Sequence, residues 1–102
     1  MNKYFLHGKL KASSGNGEKL AAILIEASKL VSRSATCQLY LVSKDPEQPE
    51  TIWVTEVWDN KEAHDASLQN PEVRALIGQA IPILDGMPAG GQTLEVLGGY
   101  GV

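Results

Sequence analysis

The sequence is poor in the residues from which small proteins build covalent cross-links and metal sites. Of its 102 residues, one is cysteine (Cys37) and two are histidine (His7 and His64). A lone thiol excludes an internal disulfide and a CxxC pair, and two distant histidines without patterned carboxylate partners are a weak metal signal. The motif Gly15-x-Gly17 lacks the third glycine of a dinucleotide fingerprint, because Leu20 stands there. These residues therefore predict neither a metal nor a nucleotide cofactor.

Long apolar runs and blocks of like charge are also missing. The most apolar stretch, residues 21–27, already contains Glu26, whereas a bilayer span needs about 20 apolar residues. The N-terminus reaches His7 and Lys9 too early for the core of a secretory signal. Nine basic residues are scattered among twelve acidic ones, for a net charge of −3, so there is no basic patch for nucleic acid. We expect a soluble, cytoplasmic protein that binds neither membranes nor nucleic acid.

The remaining composition is that of an ordinary globular protein, with 43% hydrophobic and 21% charged residues. This length suits a single domain, which we expect to span residues 1–102. A domain this small hides only about 60–65% of the surface that its unfolded chain exposes, and a ligand cavity would reduce its core further. Because dimerisation buries a second apolar surface, we expect a homodimer.

Hydrophobic periodicity predicts four strands and two helical regions. Alternation and β-rich composition indicate strands over residues 4–11, 36–43, 51–58 and 92–97. A single apolar stripe beginning after Asn16 predicts a helix over about residues 18–33. A capping box at residues 59–62, with Asp59 as its acidic cap, opens a second helix that ends near Gln69. Asn70 provides a new cap, and Pro71 begins a further helical segment that ends near Pro82. Residues 83–91, rich in glycine and proline, are predicted to form a loop.

The order strand, helix, strand, strand, helix, strand predicts an α+β, ferredoxin-like βαββαβ fold. Both helical regions would then cover the same face of one antiparallel sheet. We assign to the opposite face the side chains, or their register neighbours, of Tyr40, Val42, Trp53, Thr55 and Val57. Because such a face is too apolar for open water, we expect it to meet a second subunit.

The segment with the most chemical content spans residues 55–68. A predicted strand ends at Trp58, and a capped helix begins at once. Glu56 and Trp58 share strand parity and so line the same surface, while His64 lies one and a half turns into the helix and can point back towards Trp58. Two interpretations stay open: these residues form a site, or Trp58 is a core residue, Glu56 a partner for a helix end and His64 a surface histidine.

This segment gives the sequence a resemblance to a known family. The chain resembles the antibiotic biosynthesis monooxygenase domain family, whose members are dimeric α+β barrels that include anthrone and quinol monooxygenases. The matching features cover almost the whole chain: Ala12-x-x-Gly15 followed by Leu20, Tyr40 in the second strand, Glu56-Val57-Trp58-x-x-x-Glu62-Ala63-His64, Asn70-Pro71-x-Val73, and Leu94-x-Val96.

The resemblance implies a homodimer in which each subunit keeps an apolar pocket between helices and sheet. It also implies oxygenation of a small electron-rich aromatic, such as an anthrone or quinol, by O₂ without metal or flavin. On this basis Trp58 supplies a pocket wall, and His64 is the natural base because imidazole is the side chain that titrates nearest neutral pH. Tyr40 or Tyr4 would donate to the oxygen adduct. We expect substrate contacts from Tyr40, Trp53, Glu56, Ser67 and Leu68.

The sequence departs from the family pattern at two positions. Many relatives carry a histidine nine residues after the tryptophan, where this chain has Ser67; His64 lies three residues earlier, on a neighbouring part of the same helix face. The branch that degrades haem uses an asparagine in the first strand, at a position that corresponds to about Gly8 here, so haem degradation is disfavoured. The alternative functions are a non-catalytic dimer that binds aromatic metabolites or serves a stress response, and a purely structural dimer.

Overall fold

The computed structural model describes residues 2–86 and 90–102 and confirms the ferredoxin-like α+β fold. Its elements, in chain order, are β1 (Lys3–Lys11), α1 (Gly17–Val31), β2 (Cys37–Asp45), β3 (Gln48–Trp58), α2 (Lys61–Ser67), α3 (Pro71–Ala80), a 3₁₀ turn (Ile81–Ile83) and β4 (Gln92–Val96). In the predicted loop, Ile83 ends the 3₁₀ turn and Leu84 forms an antiparallel bridge with Ala12, while residues 87–89 lie outside the described residues.

The four strands form one antiparallel sheet in the order β2-β3-β1-β4. The hairpin between β2 and β3 is tighter than predicted, since the strands extend to Asp45 and from Gln48 and leave two residues between them. The long central strand β3 pairs with β1 on one side and β2 on the other. Because β3 is an inner strand of the sheet, its side chains on one face lie beneath the helices, and Ile52 and Trp58 belong to the core.

Strand parity separates the two faces of the sheet. In β3, Ile52 and Trp58 pack against the helices, and Val54 and Glu56 share their parity. Trp53, Thr55 and Val57 therefore lie on the opposite face, where Val57 is also buried. Tyr40 pairs with Glu56, and Val42 pairs with Val54. The assignment of Tyr40 and Val42 to the uncovered face is therefore wrong. The reason is a register shift between Cys37 and Leu39, because one extra residue in a strand reverses the parity of everything after it.

Side-chain caps fix where the two shorter helices begin. Asn60, not Asp59, caps α2: its side chain accepts a hydrogen bond from the backbone N–H of Ala63 at 2.7 Å. Asp59 instead accepts from Gln38 Nε2. The predicted cap at Asn70 is confirmed, since its side chain accepts from the backbone N–H of Glu72 at 2.8 Å. These caps orient α2 immediately after the end of β3.

The core between helices and sheet divides into two clusters. One contains Leu20, Ile52 and Ile83, and the other contains Val31, Trp58 and Val73. Burial of apolar side chains at about 25 cal/mol per Å² is the main force that holds α1 and α3 on the sheet. Members of both clusters, among them Ile23 and Val31, also line a cavity between the helices and the sheet.

Two helical glycines should respond in opposite ways to alanine. Gly17, at the start of α1, packs so closely on the hairpin that a Cβ would overlap the Pro49 carbonyl oxygen, whereas a Cβ on Gly78 in α3 would meet open space. We expect Gly17→Ala to lower the free energy of unfolding by about 1–3 kcal/mol and Gly78→Ala to raise it by about 0.5–1 kcal/mol. Urea unfolding followed by circular dichroism measures both. Equal effects would contradict the close approach at Gly17.

Candidate functional site

A cavity of about 390 Å³ lies between the two core clusters. Its lining is mostly aliphatic and comes from the three helices, the sheet and the segment after α3. The side chains with polar groups that line it are Tyr40, Glu56, His64 and Ser67. None of the described residues that line it is lysine or arginine. The cavity is therefore an apolar chamber in which a few polar groups are placed together.

Glu56 brings a carboxyl group into this chamber from the covered face of β3. The residue is only 9% exposed, and its Oε1 accepts a hydrogen bond from Trp58 Nε1 at 2.9 Å. Burial raises the pKa of Glu56, and the Trp58 hydrogen bond and the nearby His64 oppose that rise. The carboxyl is thus satisfied by the indole but still holds its proton more tightly than an exposed glutamate does.

His64 reaches the same place from α2. Its Nε2 lies 3.9 Å from Glu56 Oε1, and its Nδ1 lies 3.0 Å from Asp65 Oδ1. The ring meets Trp58 edge-on, with centroids 6.0 Å apart, and lies 5.4 Å from the Tyr4 ring. With a side chain only 12% exposed, His64 is not a surface histidine. The imidazole is therefore in place to accept or return a proton in the cavity.

Tyr40 supplies a hydroxyl group beside the carboxyl. It is the cross-strand neighbour of Glu56, and burial, with a smaller contribution from the Glu56 charge, raises the pKa of Tyr40 well above its ordinary value. A phenol in this state keeps its proton at neutral pH. Tyr40 can therefore donate a hydrogen bond to a bound molecule, whereas Tyr4 is not among the residues that line the cavity.

The structure brings together most of the residues predicted for the site. Ser67 and Leu68 line the cavity with His64, although the Ser67 hydroxyl donates to the His64 carbonyl oxygen at 2.6 Å. Trp58 contributes through its indole N–H; its ring is buried in the core and borders a separate cleft rather than the main cavity.

Trp53, by contrast, lies on the other face of the sheet. There it stacks on His7 with ring centroids 4.7 Å apart. Trp53, from which we expected a substrate contact, is therefore not among the residues that line the cavity.

Sequence reasoning did not select Asp65. Its carboxylate binds His64 Nδ1 through Oδ1 and Lys61 Nζ through Oδ2 at 2.7 Å. These hydrogen bonds, the one from Lys61 first and that from His64 next, lower the pKa of Asp65. Its position directly after His64 was visible in the sequence, but neighbouring helical side chains usually diverge, so nothing in the pattern indicated the contact.

Two broader properties follow from the described part of the chain. Within residues 2–86 and 90–102, no three His, Cys, Asp or Glu side chains are grouped so as to hold a metal ion. In the same ranges, no helix is both long enough and apolar enough to cross a bilayer.

The fold and the cavity define a small ferredoxin-like domain with a largely apolar cavity between its helices and its sheet. The sequence profile of the family described as Antibiotic biosynthesis monooxygenase matches residues 3–79. The match covers most of the chain, and the protein belongs to this family. No curated protein sequence matches the chain significantly.

Solved structures agree with this assignment. A candidate antibiotic biosynthesis monooxygenase from Chloroflexus aurantiacus shares 37% identity over 96% of each chain, with a TM-score of 0.85. Another from Deinococcus radiodurans shares 28% identity over 95% of this chain and 93% of that one, with a TM-score of 0.74. A third, from Nitrosomonas europaea, shares only 8% identity over 93% of this chain and 90% of that one, yet has a TM-score of 0.87. This last likeness shows the fold alone.

The raised pKa of Glu56 predicts how stability depends on pH. A carboxyl whose pKa is higher in the folded than in the unfolded state makes folding less favourable as pH rises from the unfolded pKa through the folded one. Glu56→Gln removes this penalty and keeps an oxygen for Trp58 Nε1. We expect its unfolding free energy, relative to wild type, to increase as the pH rises above the ordinary carboxyl range, about pH 4.

Urea unfolding at several pH values measures this difference. Glu26→Gln is the matched control, because Glu26 is exposed and pairs with Lys29 on the surface of α1. A Glu56→Gln difference that stays constant over the whole pH range would contradict the raised pKa.

Proposed function

We propose that this protein is a monooxygenase that oxidises a small, uncharged, electron-rich hydroxyaromatic, of the quinol or anthrone type, with O₂ and without a metal or flavin. Family membership supports monooxygenase chemistry. The observation that carries the substrate class is the apolar cavity in which Tyr40, Glu56 and His64 converge.

The size and lining of the cavity favour a small planar aromatic. A volume of about 390 Å³ lies at the small end of the range for ligand pockets, about 300–1,000 Å³. Aliphatic walls favour an apolar ring system. Because no lysine or arginine is among the described residues that line it, a carboxylated or phosphorylated substrate would lose its hydration without gaining a counter-ion.

The polar groups supply the proton transfers that the reaction needs. Removal of a proton from a quinol or an anthrone gives an electron-rich anion, which can itself reduce O₂. His64 Nε2 is the proposed base, since the imidazole lines the cavity and general-base catalysis contributes about 10²–10⁴-fold in rate. Tyr40, which keeps its proton, is the proposed hydrogen-bond donor to the oxygen adduct.

The electron balance closes without an external reductant. Oxidation of an anthrone methylene to a carbonyl, or of a quinol to a hydroxyquinone, removes four electrons from the organic molecule. One oxygen atom of O₂ enters the product and the other leaves as water, which together take up those four electrons. In the sequence proposed, the base removes a proton, a C–O bond forms to give a peroxide, and the O–O bond breaks as water departs.

The proposal predicts oxygen consumption with aromatic substrates and its loss in a base variant. With anthrones, hydroquinones and menadiol, we expect uptake of O₂ and one labelled oxygen atom in the product from ¹⁸O₂. His64→Gln should lower kcat by about 10²-fold or more, because glutamine has no basic nitrogen. An oxygen electrode and mass spectrometry measure both effects.

His7→Gln, on the opposite sheet face, is the matched histidine control. Because that face is the proposed dimer contact, the variant is first checked for dimerisation by light scattering; as a dimer it should retain the wild-type rate. Unchanged turnover in His64→Gln would remove His64 from the reaction. Tight binding of these aromatics, measured by calorimetry, without oxygen uptake would instead support a module that binds aromatic metabolites.

We also propose that the protein acts as a homodimer joined through the uncovered sheet face. In one chain this face presents apolar side chains next to polar ones. Leu41 and Leu94 are 51% and 56% exposed. Cross-strand pairing places Leu94 beside Phe5, which pairs in turn with Val57, a side chain already buried within one chain. An apolar surface of this kind is stabilised when a second copy covers it.

A charge placed on this face should weaken the dimer. We expect Leu41→Asp to raise the dissociation constant of the dimer by an order of magnitude or more, since it buries an unpaired carboxylate. Ile25→Asp, at an exposed position on the outer side of α1, is the control and should leave association unchanged. Sedimentation or light scattering over a concentration series measures both. A wild-type monomer at micromolar concentration would overturn the dimer proposal.

A further inference from the structure

Asp65 joins two side chains of α2. Its Oδ1 lies 3.0 Å from His64 Nδ1, and its Oδ2 accepts a hydrogen bond from Lys61 Nζ at 2.7 Å. Lys61 and Asp65 are four residues apart, the spacing at which helical side chains meet. Both carboxylate oxygens of Asp65 are therefore engaged, one with a cation and the other with the imidazole.

The ionised state of Asp65 determines which ring nitrogen of His64 carries the proton. The hydrogen bonds from Lys61 and His64 lower the pKa of Asp65, so it is a carboxylate at neutral pH. A carboxylate only accepts hydrogen bonds, and the nitrogen that faces it must therefore donate. In the neutral imidazole the hydrogen is then on Nδ1, and the lone pair is on Nε2.

That lone pair faces the interior of the site. His64 Nε2 lies 3.9 Å from Glu56 Oε1, and the imidazole lines the cavity together with Glu56. The ring is held in this orientation by Tyr4, with centroids 5.4 Å apart, and by the edge of Trp58. Rotation of the ring would separate Nδ1 from Asp65 as well.

We propose that Asp65 is a positioning residue: it fixes His64 as the Nδ1–H tautomer, so that Nε2 is available to take a proton from the substrate. The role in turnover rests on the proposed function, whereas the tautomer does not. When Nε2 takes the proton, the resulting imidazolium lies between Asp65 and Glu56. When the same proton is given back as water leaves, the imidazole returns to its starting form.

The tautomer is measured directly on ¹⁵N-labelled protein by long-range nitrogen–proton correlation, at a pH where the ¹⁵N shifts are those of a neutral imidazole. We expect wild-type His64 to carry its hydrogen on Nδ1. Asp65→Ala should shift the population towards the Nε2–H form, because the acceptor is gone. In turnover, the same variant should lower kcat by about tenfold to a hundredfold with KM changed less than twofold. Asp65→Asn keeps an acceptor oxygen, so its tautomer population and its kcat should lie between those of wild type and Asp65→Ala.

Two controls separate this effect from a loss of helix stability. Lys61→Met removes the same ion pair from α2 and leaves Asp65 in place, so the Nδ1–H tautomer should persist. Glu26→Ala removes an exposed carboxylate from the corresponding pair with Lys29 on α1 and should change neither measurement.

The outcomes distinguish this inference from the proposed function. A wild-type His64 that carries its hydrogen on Nε2, or a tautomer unchanged in Asp65→Ala, overturns the positioning role whatever the activity. An Nδ1–H tautomer that is lost in Asp65→Ala, in a protein without oxygenase turnover, supports the positioning of His64 and counts against the proposed reaction alone.

Discussion

The arrangement of the site depends on one hydrogen bond, from the indole N–H of Trp58 to the carboxyl of Glu56. A carboxyl group under two helices loses its hydration, and an unpartnered one costs several kcal/mol. The two residues stand two apart on β3 and so emerge on the same face, which lets the indole satisfy the carboxyl without help from another element. The bond also fixes both side chains, and the edge of that indole then supports His64.

The cavity sets a second constraint, which is energetic. Side chains that line a cavity lose the dispersion contacts that a close-packed core would give them, and a chain of 102 residues has little other core to offset this loss. Leu20 and Ile52 on one side of the space, and Trp58 on the other, are almost fully buried, so packing is concentrated in two clusters. The apolar uncovered face offers further burial, which is why we place the subunit contact there.

Periodicity in the sequence predicted the helices and strands because each has one covered face. The Asn70 cap could also be predicted, because it depends only on a hydrogen bond to the backbone two residues away. Parity along β3 also separates Trp53 from Trp58, since positions five apart point to opposite faces; only one of the two can share a surface with Glu56. The side of Tyr40 was not readable, because it depends on the irregular register after Cys37. The contact between His64 and Asp65 depends on side-chain rotamers, which no spacing encodes.

The position of the imidazole on α2 bears on how a substrate lies in the cavity. In the family pattern that this chain resembles, the histidine stands where Ser67 does here. His64 and Ser67 both line the cavity, and a shift of three residues along a helix corresponds to about 4.5 Å along its axis. The imidazole is thereby brought next to Trp58 and Glu56, while the Ser67 hydroxyl is occupied by the His64 carbonyl. If His64 is the base, as we propose, the hydroxyl or methylene that it deprotonates would lie correspondingly closer to β3 than one that reacts with a base at the position of Ser67.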